Sequence, residues 1–224
     1  MSTGALSDDL IYRANGDLKT IAEPAGGGAY YCYNFGGVEM EVGEFLYGLV
    51  RMLKPDRILE TGTHWGISAM YMAQALKDNR RGMLTTIEFA KENVHKAGNL
   101  FNILALEPWI EQFEGPVESF EPKDNQYDLI FLDTEPFLRF GELVRFWPNL
   151  KAGGFVGMHD LDIHMEQWGN PSERPWGPLP DEIKQLIKNH ELQSFHFHTP
   201  RGLYLGQKYA KTFYSNELLK GEMP

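Results

Sequence analysis

Between residues 41 and 207 the sequence switches repeatedly between a helical and a strand-like hydrophobic period, and this limits the fold more than any other feature. Across residues 41–53, Val42, Phe45, Leu46, Leu49, Val50 and Leu53 recur at helical spacing, and Pro55 stops the run. Residues 57–60 read as a short buried strand, 68–76 as a helix, 83–88 as a strand, 91–106 as a helix and 110–113 as a strand. The run 127–132 (YDLIFL) is apolar enough for a strand buried on both faces. A helix over 136–150 and a strand over 154–158 follow, and after an irregular stretch rich in Trp, Pro and Gly come a helix over 181–189 and strands over 192–198 and 203–207. Such alternation requires right-handed crossovers and a mostly parallel sheet, a doubly wound α/β architecture. Only the turn Pro200-Arg201-Gly202 separates the last two strands, so they form a hairpin that adds one antiparallel strand.

The length of 224 residues suits one such domain. Residues 1–38 are expected to form a leader and lid segment, jointed at Gly26-Gly27-Gly28, and residues 39–224 the α/β domain. A net charge of −10, with no basic cluster beyond Arg80-Arg81, leaves nothing to neutralise nucleic-acid phosphates or to favour an anionic membrane. No apolar run approaches the ~20 residues of a membrane helix. The opening MSTGALSDDL lacks the basic-then-apolar order of a secretory leader. Cys32 is the only cysteine, so no intrachain disulfide can form, and it reads as a small half-buried hydrophobe. A reducing, cytoplasmic location is the expectation.

In doubly wound sheets ligands gather beyond the carboxyl ends of the strands. The first strand runs into Glu60-Thr61-Gly62-Thr63-His64-Trp65-Gly66, where Gly62 permits a sharp turn and Gly66 close packing of the next helix. A dinucleotide fingerprint starting at Gly62 needs glycine at 64 and 67, where the chain has His64 and Ile67. The second strand ends in Glu88, an acid placed to accept ribose hydroxyls, and the third in Glu114-Gly115-Pro116-Val117. Asp133 follows the fourth strand, and His159 and Asp160 follow the fifth.

The spacing acidic-x-Gly-x-x-x-Gly resembles motif I of class I S-adenosylmethionine (SAM)-dependent methyltransferases. The resemblance implies a single Rossmann-like domain with a seven-stranded sheet of order 3-2-1-4-5-7-6 and one antiparallel strand. It places Glu60, Gly62, Thr63 and Gly66 at the methionine part of SAM, where backbone N–H groups take its carboxylate. Glu88 falls at the ribose, Gly115, Pro116 and Val117 at the adenine, and Asp133 at the reacting end.

With Asp133, His159 and Asp160 in view, the chain from about Val38 to Gln207 resembles the caffeoyl-CoA and catechol O-methyltransferase-like group. That group binds a divalent metal through an Asp after strand four and an Asp-Asn pair after strand five. Here the pair is His159-Asp160, a departure from the pattern. An Asp, His, Asp set suits Mg²⁺ or, with its imidazole, Mn²⁺, Fe²⁺ or Zn²⁺.

The implied activity is SAM-dependent methylation of a hydroxyl on a small molecule such as a sugar, polyphenol or natural-product intermediate. Two routes to the acceptor proton stand open. A metal at Asp133/His159/Asp160 lowers the hydroxyl pKa, or His159, with an ordinary pKa of ~6.5, acts as general base with Asp133 beside it. Plainer readings are a capping histidine at 159 and a capping carboxylate at 160. An NAD(P)-linked oxidoreductase is disfavoured by the missing glycine and the lack of a suitably placed Tyr-x-x-x-Lys pair, and a non-catalytic SAM-binding protein by the charged strand tips. Residues 165–180, with Trp168 and Trp176, are placed to cover the acceptor, and Tyr30, Tyr31 and Tyr33 to close the pocket opposite them. Arg139 and Arg174 could hold an anionic acceptor but read as no more than surface charges, Glu39-Met40 lies where relatives contact SAM, His164 is a bystander, and His196 and His198 are structural. The group is often dimeric, which makes a homodimer the expected assembly.

Overall fold

Seven strands alternate with helices along the chain: β1 (Arg57–Thr61), β2 (Met83–Glu88), β3 (Ile110–Glu114), β4 (Tyr127–Leu132), β5 (Leu150–His159), β6 (Leu192–Phe197) and β7 (Leu203–Lys208). In this computed structural model the described residues are 21–22, 28–33, 36–122, 126–161 and 181–209. The strands form one sheet of order β3-β2-β1-β4-β5-β7-β6, the order the resemblance implies. β1 to β5 pair in parallel, and β7 runs antiparallel to both β5 and β6. The strand order reverses between β1 and β4, so the carboxyl ends of β1, β2, β4 and β5 share one edge, where a doubly wound sheet takes its ligands.

The helices are α1 (Met40–Leu53), α2 (Ile67–Asn79), α3 (Lys91–Ile103), α4 (Arg139–Phe146) and α5 (Asp181–Lys188). Side chains of successive strand residues point to opposite faces, so the apolar run in β4 supplies two cores at once. Leu129 and Phe131 join Ile58 and Leu84 beneath α1, α2 and α3. Ile130 and Leu132 join Leu59, Ile87 and Val156 beneath Leu143 and Phe146 of α4. A charge at 129–132 would enter one of these cores, so those positions are apolar, while Asp128 at the strand's start accepts the Asp56 and Arg57 N–H groups and pairs with Lys151.

Element ends depart from the sequence reading where backbone geometry decides them. The expected helix over 91–106 stops at Ile103, because Ala105 turns left-handed at φ 52° and the Leu106 N–H closes back onto the Phe101 carbonyl. The expected helix over 136–150 is only α4 followed by a 3-10 turn at Trp147–Asn149 containing Pro148. β5 starts at Leu150 rather than 154, with Gly153 at φ 81° and a shifted register opposite Tyr127 and Leu129. Among the described residues no helix is long and apolar enough to cross a membrane. The expected lid over 165–180, with Trp168, Arg174 and Trp176, lies outside the described residues, as do His164 and most of the expected leader.

Gly62 fixes how closely β1 and β4 approach at the ligand edge. It sits at φ +83°, and a Cβ there would lie 2.3 Å from the Asp133 carbonyl oxygen. Both the left-handed backbone and the contact with another main chain require glycine. Gly62→Ala is expected to lower unfolding free energy by about 2 kcal/mol or more, from strain and displaced backbone together. Urea denaturation measures this as a lower midpoint at unchanged slope; an unmoved midpoint would show that the two loops separate freely.

Candidate active site

The loop after β1 and the tip of β2 are joined by backbone bonds. The Gly62 and Thr63 N–H groups both donate to the Ile87 carbonyl (3.0 and 3.1 Å), and the Gly66 N–H donates to Thr63 O (2.8 Å). The His64 N–H donates to Glu88 Oε2 (2.8 Å), and the Ala90 N–H to Glu88 Oε1 (2.8 Å). Four loop amides therefore serve the protein itself, which differs from the expectation that the loop N–H groups lie open for a ligand carboxylate. Glu88 is held by one backbone donor on each oxygen, and each oxygen retains a second lone pair for a further donor. The Gly115 N–H bonds the Glu88 carbonyl at 2.9 Å, bringing the β3 tip with Pro116 and Val117 alongside. Glu60, Gly62, Thr63, Gly66, Glu88 and Gly115 thus lie on one edge of three adjacent strands.

Glu60 is completely buried. The Thr86 hydroxyl donates to its Oε2 at 2.5 Å, and Thr63 Oγ1 lies 2.5 Å from Thr86 Oγ1. Its Oε1 has no hydrogen-bond partner. Burial, with the nearby acids Asp133 and Glu88 adding to it, outweighs the hydroxyl donors and raises the carboxyl from 4.5 to about 8.

At the tips of β4 and β5, Asp133, His159 and Asp160 converge, as the sequence reading expects. One ligand-type atom from each lies within 4.8 Å of the others. Three further residues join them. Arg139, read from sequence as a surface charge, is 2% exposed, which corrects that reading. Its Nη2 lies 3.1 Å from Asp133 Oδ1 and 3.0 Å from Asp160 Oδ2, and the guanidinium also donates to the Thr134 and His159 carbonyls. Arg201, in the β6–β7 turn, grips Asp160 with Nε 2.6 Å from Oδ1 and Nη2 3.0 Å from Oδ2, and its Nη1 donates to Gly37 O at 2.6 Å. Glu39, immediately before α1, is fully buried, with Oε2 2.6 Å from His159 Nε2 while its Oε1 accepts the Arg201 N–H at 3.2 Å.

Three carboxyl groups thus meet two guanidinium groups and an imidazole. His159 has no solvent exposure, and its Nδ1 lies 3.3 Å from Asp133 Oδ1 and 3.4 Å from Asp160 Oδ1. Burial opposes a charged ring, yet Asp160, Asp133 and Glu39 outweigh it and push the imidazole up to about 9. Burial likewise opposes ionisation of Asp160, and His159, Arg201 and Arg139 overcome it, holding the carboxyl well below its ordinary range. Nε2 faces Glu39, and Nδ1, which makes no hydrogen bond, faces the two aspartates, so carboxyl groups stand on both sides of the ring. The donor set is of metal-binding type, but as arranged it does not fit an ion, because two guanidinium cations already stand against it, Arg139 between the two aspartates and Arg201 against both oxygens of Asp160.

A signal for Arg139 was present in the sequence. With Glu142, Leu143 and Phe146 it makes the i, i+3, i+4, i+7 stripe that α4 buries. Arg201 and Glu39 carry no such mark, because a turn and a helix lead-in have no periodicity. Of the tyrosines expected at the pocket, Tyr33 is buried in the core beneath α1 and Tyr31 is exposed.

Glu60 gives a pH test. The native carboxyl keeps its proton up to about pH 8, whereas an unfolded one releases it near 4.5. Stability from this group is therefore full below the lower value and is lost as pH rises to the higher one. Glu60→Gln removes that slope, so its denaturation midpoint relative to the unmutated protein is expected to rise from about pH 5 to about pH 8. Parallel midpoint profiles would contradict the buried, protonated carboxyl.

Residues 59–161 match a family model described as a methyltransferase domain. A protein of Mycobacterium ulcerans, provisionally named an O-methyltransferase, is 26% identical over 76% of this chain and 71% of its own length. A structure from Staphylococcus aureus, provisionally described as a caffeoyl-CoA O-methyltransferase, is 25% identical with a TM-score of 0.64, covering 77% of this chain and 85% of that one. The O-methyltransferase TomG of Streptomyces achromogenes, involved in tomaymycin synthesis and solved with SAM, superposes with a TM-score of 0.70 at 17% identity over 93% of each chain. With the seven-stranded sheet and the acid- and glycine-bearing strand tips, these matches make the chain similar to class I SAM-dependent methyltransferases and, among them, to the caffeoyl-CoA O-methyltransferase-like group.

Proposed function

We propose that the chain transfers the methyl group of SAM to a hydroxyl of a small organic acceptor, such as a polyphenol, sugar or natural-product intermediate. The observation that carries this is the single edge on which Glu60, the Gly62–Gly66 turn, Glu88 and Asp133 meet. In this reading the ribose hydroxyls donate to the free lone pairs of Glu88, and the Gly115-Pro116-Val117 tip borders the adenine. The buried acid Glu60 and the loop face the methionine part, whose positive ammonium favours the ionised carboxyl, so that Glu60 releases its proton to solvent and pairs with that ammonium. The acceptor oxygen attacks the methyl carbon in line, the carbon–sulfur bond breaks, S-adenosylhomocysteine leaves, and the hydroxyl proton is lost. Asp133 borders the reacting end. His159 is a positioning residue, fixing Glu39 and thereby the start of α1 against the β5 tip.

The net charge of −10 supports a small-molecule acceptor rather than nucleic acid or an anionic membrane, and a cytoplasmic location accompanies that reading. Residues 1–38, together with residues 165–180, belong to the acceptor side of this proposal, and a homodimer is its working assembly.

Calorimetric titration tests it. SAM is expected to bind the unmutated chain, while NADH does not. Glu88→Gln turns one carboxylate oxygen into a donor and removes the charge. At roughly 1.5–3 kcal/mol for a hydrogen bond to a charged group, SAM affinity should fall about tenfold or more. Undiminished affinity in that variant would remove Glu88 from the ribose, and NADH binding without SAM binding would overturn the enzyme class.

A further inference from the structure

We propose that Arg139 and Arg201 occupy the cation position of this centre in place of a divalent metal, so that the chain turns over without one. The inference rests on the methyl-transfer reading and concerns how the same site is built. An ion joining Asp133 to Asp160 needs oxygens at ~2.0–2.6 Å on open lone pairs. Arg139 Nη2 already stands between those two carboxylates, at 3.1 and 3.0 Å. Asp160 has a guanidinium against each oxygen: Arg201 Nε lies 2.6 Å from Oδ1, while Oδ2 accepts from Nη2 of both Arg201 and Arg139 at 3.0 Å. The third ligand of the set, His159, faces Glu39 at 2.6 Å on one ring nitrogen and the aspartates on the other.

The arginines are not surface groups that can swing aside. They are 2% and 6% exposed, and each is also bound to main-chain carbonyls, Arg139 to Thr134 and His159 and Arg201 to Gly37. Guanidinium stays charged at any ordinary pH, so it cannot yield by losing a proton as a lysine can. An ion entering here would leave two buried cations without their counter-charges, an arrangement whose cost runs to several kcal/mol. A planar fork matched to carboxylate geometry supplies what a metal otherwise supplies structurally: it holds the β4 and β5 tips together.

Manganese binding tests this independently of turnover. Protein freed of metal by chelator and dialysis is titrated with Mn²⁺, and free Mn²⁺ is read by electron paramagnetic resonance, with SAM binding measured by calorimetry on the same sample. Expected for the unmutated chain are SAM binding, no stoichiometric Mn²⁺ site and turnover indifferent to chelator. The double variant Arg139→Gln, Arg201→Gln opens the carboxylates, and where it folds it is expected to gain a Mn²⁺ site. Should it fail to fold, Asp133→Asn and Asp160→Asn decide the matter. One Mn²⁺ bound per unmutated chain and lost in either asparagine variant overturns the proposal, as does activity abolished by chelator and restored by Mn²⁺. Loss of SAM binding with no Mn²⁺ site would instead remove the methyltransferase reading and leave the cation assignment standing.

Discussion

A buried cluster of three carboxyl groups and three cationic side chains at the carboxyl edge of the sheet is the constraint on which the ligand site depends. Its members come from five places: Glu39 ahead of α1, Asp133 after β4, Arg139 opening α4, His159 and Asp160 at the end of β5, and Arg201 in the β6–β7 turn. Each charge is largely buried and is held by an opposite one, so removing a single member leaves its partner uncompensated, typically at 3–5 kcal/mol. The sheet gains no stability by this route that an apolar plug would not supply. What it gains is a fixed relation between strand tips that carry the chemistry.

That relation reaches across the molecule. Glu39 accepts the Arg201 N–H and pairs with His159, so the start of α1, the β5 tip and the distal hairpin are registered against one another. On the other side of the switch point, Gly62 lets the β1 loop touch the Asp133 main chain, and Thr61 and Thr134 both donate to Glu142 of α4. The cofactor edge and the charged cluster are therefore neighbours through Asp133, which belongs to both. A close fit of backbone on one side and of ions on the other gives one rigid mouth.

The sheet was legible in the sequence because its signals are local and periodic. The strands over 83–88 and 127–132 fall where the apolar runs put them, and the tight spacing of the final pair dictated its antiparallel hairpin. Gly62, Glu88, Asp133 and the His159-Asp160 pair were legible as residues at strand ends. What escaped was the partnering of those residues. Arg139 and Arg201 lie 62 positions apart in the chain (201 − 139) and meet only through Asp160, a long-range pairing that no spacing announces. A donor set of metal-binding type consequently looked open from sequence when two buried guanidinium cations already faced it. The loop amides after β1 are a similar case: glycine spacing marks the turn but does not say which acceptor its N–H groups meet, and here that acceptor is largely the neighbouring strand.

The most direct single measurement is a crystal structure of the chain with S-adenosylhomocysteine, grown in the presence of a divalent cation. The predicted result is a ribose hydrogen-bonded to Glu88, the sulfur facing the Asp133 end, and both guanidinium groups still seated on Asp160. A sugar bound away from Glu88, or an ion between Asp133 and Asp160 with Arg139 and Arg201 turned outward, would contradict it.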